Sequence, residues 1–194
     1  MLPIGWILYL IVNSYSSYVT ITRFGGYGLE NAPPFTSELM RFFIRDQFNR
    51  IRLRMSAPSM PVDSTLPLVE LFVGAGSQER LNSNLPASGK SQHYPAYLKW
   101  EGEFHRVNAR YVGDNHWHWL YEQKSWRIKS VKSQLINGAR EFNLKNPRTR
   151  IAFNEAISME LAASVGLIAP RVFPIRLMLN GEFHGVYLWQ DVID

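Results

Sequence analysis

From Leu68 onward the chain reads as strands separated by polar turns, and this constrains its fold more than any other feature. LVELFV (68–73), VNARYV (107–112), SWRIKSV (125–131), VFPIRLML (172–179) and HGVYLWQDV (184–192) are β-branched or aromatic, or alternate between apolar and polar residues. In LNGEFHG, Asn180-Gly181 is the pair a two-residue type I′ hairpin turn requires, because both central residues need positive φ. One helix is expected among these strands, from about Pro147 to Val165. Asn146 would be its N-cap, Pro147 its first residue and Gly166 its stop. The expected fold class is therefore α+β: a mainly antiparallel sheet with one main packed helix, preceded by N-terminal helical segments.

The first 67 residues have a different texture. Leu2 to Ile21 carries no charge, and its apolar content is concentrated in Leu2 to Val12. A membrane-anchor helix over residues 1–23 and an amphipathic or buried segment both suit that pattern. No Lys or Arg precedes the apolar run, which argues against a cleaved signal peptide. Residues 24–67 read as linker and helix. Phe24 to Pro34 and Ser56 to Pro67 are linkers by composition. Between them Met40, Phe43, Ile44, Phe48 and Ile51 fall at helical spacing among five arginines. This is a basic amphipathic helix, either docked with a solvated arginine face or lying on an anionic membrane surface. The expected location is thus a membrane, held through residues 2–21, or otherwise the cytoplasm or cell envelope. Residues 68–194 form the main domain.

Several chemistries are excluded or weakened early. The chain has no cysteine, so disulfide scaffolds, zinc fingers and thiol nucleophiles are out. Its formal net charge of +5 suits phosphate-bearing or acidic partners without selecting one. Gly74 and Gly76 follow a strand, but Glu79 stands where a dinucleotide fingerprint needs a third small residue. Ile44-Arg45-Asp46 imitates a kinase catalytic loop, yet Ile51 occupies the metal-binding asparagine position. His116 and His118 would share one face of a strand, but no third ligand is near, so packing is the preferred role. No GxSxG elbow supports a serine hydrolase.

One constellation survives. In KSWRIK, alternation sends Trp126 and Ile128 toward a core and Ser125, Arg127 and Lys129 to the other face. Upstream, RYVGDN sets Gly113, Asp114 and Asn115 just after a strand. A glycine turn beside a basic strand can hold phosphate, with backbone N–H groups approaching closely and a cation neutralising charge. The competing reading is an edge strand kept soluble by its cations. In the helix, Phe153, Ala156, Ile157, Leu161, Ser164 and Val165 form the expected buried stripe. Glu160 lies within it and Glu155 points away. A carboxylate on a core-facing side needs a partner, and Lys129 or Arg127 is the natural one. A strand cation paired to a helix glutamate beside a glycine turn is the organisation of a protein-kinase N-terminal lobe.

These residues resemble the spore-coat CotH kinases, an atypical protein-kinase-like family. The resemblance rests on Arg110-Tyr111-Val112-Gly113-Asp114-Asn115, Lys124-Ser125-Trp126-Arg127-Ile128-Lys129, Phe142-Asn143-Leu144, Gly166 to Pro170, Leu177 to Tyr187 and Gln190 to Asp194, in that order. It runs from about Leu68 to the last residue. It implies the ATP-binding N-terminal portion of a protein kinase that, in intact relatives, phosphorylates Ser-rich protein with Mg or Mn. By position, Gly113, Asp114 and Asn115 would lie near the phosphates. Lys129 would contact them with Arg127 as rival, Glu160 would orient the cation, and Leu188 to Asp191 would border the adenine. Val112 and Asp191 depart from the family's arginine and glutamate. A kinase's catalytic base and metal-binding aspartate follow the hinge, where this sequence stops, so weak or absent nucleotide affinity and no phosphoryl transfer are expected of this chain alone. A non-catalytic envelope or membrane-anchored scaffold is the alternative. No nucleic-acid partner is expected, because the aromatics suit a core.

Overall fold

The computed structural model describes residues 4–24, 36, 37, 40, 41, 44, 45, 48, 65–83, 92–113, 118, 123–131, 134–147 and 153–193. The chain divides into two compact units, Met1–Ser59 and Met60–Asp194.

In the first unit, helix α1 spans Ile4–Phe24. Leu10 and Ser14 are buried, while Ile4, Leu8 and Val12 are among the most exposed of its apolar residues. Among the described residues no helix is long and apolar enough to cross a membrane.

The second unit is a closed barrel of seven strands: β1 (Leu68–Val73), β2 (Tyr94–Trp100), β3 (Glu103–Tyr111), β4 (Trp126–Ser130), β5 (Glu141–Lys145), β6 (Val172–Leu179) and β7 (Glu182–Asp191). The order around the barrel is β1-β2-β3-β4-β5-β7-β6. Every neighbouring pair is antiparallel except the one that closes the ring, where β1 runs parallel to β6 with Val69 beside Leu177. Helix α2 (Ala75–Ser83) follows β1, and α3 (Asn154–Ser164) connects β5 to β6.

This overturns the expected kinase-lobe-like arrangement, a mainly antiparallel sheet with one main packed helix. The alternating residues of the strands do face a core, but that core is enclosed by the sheet itself. Trp126, Ile128, Phe142, Leu144, Tyr187 and Trp189 point inward with Leu71, Leu98, Ala109 and Tyr111. Phe142 stacks on Trp189 with ring centroids 3.6 Å apart, and Trp100 lies 5.2 Å from the same indole. Closure removes the sheet edges that an open arrangement would leave exposed. Helix α3 is not needed to cover that core and buries none of its own residues. Its apolar stripe, Ile157, Leu161 and Val165, is about two-thirds exposed.

Turn chemistry fixes the register. Asn180-Gly181 has φ of 51° and 86° and joins β6 to β7 in the expected two-residue turn. Glu101-Gly102 does the same between β2 and β3, with φ of 50° and 87°. The expected helix start is also corrected. Asn146 is not the N-cap of α3: its backbone N–H donates to Ser125 Oγ at 2.9 Å and its Nδ2 to the Gln123 carbonyl at 2.6 Å. The helix begins at Asn154, after Phe153. Gly166, with φ of 82°, does close it.

Candidate functional site

The antiparallel registers build a polar row across the outside of the barrel. Arg110 on β3 lies opposite Arg127 on β4, Arg127 opposite Asn143 on β5, and Asn143 opposite Gln190 on β7. These four residues alternate with inward-facing aromatic and aliphatic neighbours, so strand parity sends all four outward. With Val112, Gly113, His118 and Lys145 they line an open cleft of about 570 Å³.

A chain of hydrogen bonds orients its floor. Arg127 Nε donates to Asn143 Oδ1 at 2.9 Å, and Asn143 Nδ2 donates to Gln190 Oε1 at 3.1 Å. Gln190 Nε2 then donates to Glu155 Oε1 at 2.9 Å, and Lys145 Nζ meets the same oxygen at 2.6 Å. Helix α3 therefore reaches the cleft through Glu155, which holds two of its lining residues.

The rim is set by Gly113. Its φ of 117° suits glycine alone, and a Cβ there would collide with the side chain of His118. His118 in turn places Nδ1 2.9 Å from Ser125 Oγ, while its carbonyl accepts from the Ser125 N–H at 2.6 Å. Its role is thus to seat the glycine loop against β4. His116, Asp114 and Asn115 lie outside the described residues.

Charge in the cleft is unbalanced toward the positive. Burial pushes the Arg110 guanidinium below its usual range, the nearby Arg127 pushes the same way, and Glu141 opposes both. Glu141 is already shared: its oxygens lie 3.0 Å from Lys129 Nζ and 3.6 Å from Arg127 Nη1. Glu155 is engaged by Lys145. Among the described residues no cluster of three ligating side chains could hold a metal ion, and the two carboxylates nearest the cleft both face cations.

The residues expected from sequence are only partly brought together. Gly113 and Arg127 line the cleft, and Lys129 lies one step along β4, paired to Glu141 outside it. Glu160 is exposed on an apolar shelf with Ile157, Leu161 and Val172, and pairs with neither Lys129 nor Arg127. The expected ion pair is absent because the helix is turned the other way: its apolar stripe looks to solvent and Glu155 looks to the sheet. Asp191 is held by Arg171 Nε at 2.6 Å and by Trp189 Nε1 at 2.8 Å, and it is Gln190 that lines the cleft. Gln190 falls within Leu188 to Asp191, the segment expected to border the adenine, and Arg110 and Asn143 stand within motifs of the family resemblance, but none of these three, nor Lys145 or Glu155, was expected at the phosphates. The antiparallel pairing of their strands was the signal that would have aligned Arg110, Arg127 and Asn143.

No curated protein matches the chain. Residues 109–194 match the family model described as CotH kinase protein. That segment contributes all the lining residues of the cleft, from Arg110 to Gln190. Over residues 109–194 the chain is similar to the CotH kinase family.

Proposed function

We propose that the cleft on the outer face of β3, β4, β5 and β7 binds the phosphates of a nucleotide, as the ATP-binding portion of a CotH-like kinase. The observation that carries this reading is the pairing of Arg110 and Arg127 side by side, with burial and mutual repulsion already weighing on Arg110. Two guanidinium groups gathered on a floor of amide side chains are relieved by an anion, and their planar forks suit phosphate oxygens. Gly113 adds a close backbone approach and Lys145 a third cation. Magnesium or manganese would arrive with the nucleotide, since no described cluster of side chains is built to hold it.

The reading assigns binding to these residues. Phosphoryl transfer also needs a base and metal-held carboxylates, and Glu141 and Glu155 are committed to Arg127, Lys129 and Lys145. Calorimetric titration of the full chain with ATP tests the proposal. Loss of one charge-assisted contact costs roughly 1.5–3 kcal/mol, about ten- to a hundredfold in affinity. Arg127→Ala is expected to weaken ATP by that factor and Lys129→Ala by much less. Equal losses in both variants, or none in Arg127→Ala, would remove the cleft as the site.

A further inference from the structure

We propose that His93, which lies before the segment matched by the family, is a proton-coupled member of the phosphate cleft. It takes up a proton when a polyphosphate binds beside Arg110 and Arg127. This inference rests on the phosphate-binding reading of the cleft and adds to it a residue and a pH dependence.

The placement follows from register. Tyr94 at the start of β2 pairs with Ala109, so the next position back, His93, stands beside Arg110. The polar row therefore continues past Arg110 to a fifth residue: His93, Arg110, Arg127, Asn143 and Gln190. Tyr94 packs inward against the core, which sends His93 outward by strand parity. The Nε2 of His93 is buried and has no hydrogen-bond partner. A buried ring nitrogen without a partner is costly to leave unmet.

The charged groups around the imidazole are Arg110 from β3, Arg127 and Lys129 from β4, and Glu141 from β5. Three cations face it against one carboxylate, and that carboxylate is already shared by Arg127 and Lys129. Burial, and then Arg110, hold the imidazole below its ordinary value of 6.5. Without ligand the imidazole is thus disfavoured as a cation by its cationic neighbours. A polyphosphate in the cleft reverses the local sign, and the imidazolium then becomes favourable. By reciprocity of linked equilibria, an anion that raises the pKa of His93 binds more tightly to the protonated form. Each unit of rise is worth about tenfold in affinity at low pH. The effect is electrostatic, so the buried Nε2 need not touch the phosphate.

The test uses the full chain with ATP as the probe. Imidazole resonances are titrated by NMR with and without saturating ATP, and His93 is identified by the signal missing from His93→Gln. The expected result is a His93 pKa below 6.5 in the free chain that rises on binding. In parallel, ATP affinity is expected to increase more steeply from about pH 7.5 to about pH 5.5 in the unaltered chain than in His93→Gln. The nucleotide's own protonation is common to both chains and cancels. Should His93→Gln fail to fold, the titration of the unaltered chain, with the four other histidines replaced in turn for assignment, gives the answer alone. If ATP binds and is lost in Arg127→Ala while the His93 titration does not move, this inference falls and the phosphate reading stands. If ATP binds at no pH, both fall.

Discussion

At the scale of single residues, the cleft depends on a few positions whose roles follow from backbone conformation and charge. Gly113 combines a φ of 117° with a neighbour that leaves no room for a Cβ. Gly113→Ala is therefore expected to destabilise the second unit by about 1–3 kcal/mol, read by urea denaturation. Replacing His118 by glycine in the same chain should return part of that loss, and an undiminished cost in the double variant would show that φ alone is responsible. His93 gives stability a pH dependence whose sign is fixed. Its folded pKa is lowered, so the unfolded chain binds the proton first as pH falls. The contribution is complete above 6.5 and is lost as pH drops from there through the lowered folded value. Thermal melting followed across this interval should fall less steeply for His93→Gln than for the unaltered chain. The alternation of KSWRIK could be read directly, since Trp126 and Ile128 do point inward and Arg127 and Lys129 outward. Which of the two outward cations enters the cleft depends on Asn143 and Glu141 across the strand, and those lie sixteen and twelve residues away in sequence from Arg127 and Lys129 respectively.

Helix α3 shows how an element can be read correctly in period and wrongly in direction. Glu160 does share a face with Ile157 and Leu161, and Glu155 does point the other way. The rule that an apolar stripe faces the core reversed the assignment, because the barrel already encloses its own core and leaves that stripe exposed. The consequence is testable. Glu155→Gln removes the charge that holds Lys145 and Gln190. Both members of the Lys145–Glu155 pair are about a quarter to a third exposed, so the cost in stability should be at most about 1 kcal/mol. Its effect should appear instead in ATP affinity, through a loosened Lys145. Glu160→Gln should change neither quantity. A loss of affinity in Glu160→Gln with none in Glu155→Gln would restore the face inferred from the sequence.

At the scale of the whole molecule, the barrel turns a set of short polar motifs into one surface. The Asn180-Gly181 hairpin and most of the strands were legible because turn chemistry and alternation are local. Strands β2 and β5 were missed: Pro95 interrupts YPAYLKW, the Glu101-Gly102 turn lacks the Asn-Gly or Asp-Gly signature, and β5 is only five residues, EFNLK. Closure was missed because it depends on β1 meeting β6 about a hundred residues later, in parallel. The enclosed aromatic core should carry much of the stability. Trp189→Ala, which removes the ring between Phe142 and Trp100, is expected to cost about 3–5 kcal/mol. The most direct measurement of the site is an NMR map of the full chain on adding ATP, including the arginine side-chain Nε–Hε signals. The cleft predicts shifts concentrated at Arg110, Gly113, Arg127, Asn143, Lys145 and Gln190, with Lys129 and Asp191 little changed. Shifts centred on Lys129 and Asp191, or none along the row from Arg110 to Gln190, would contradict it.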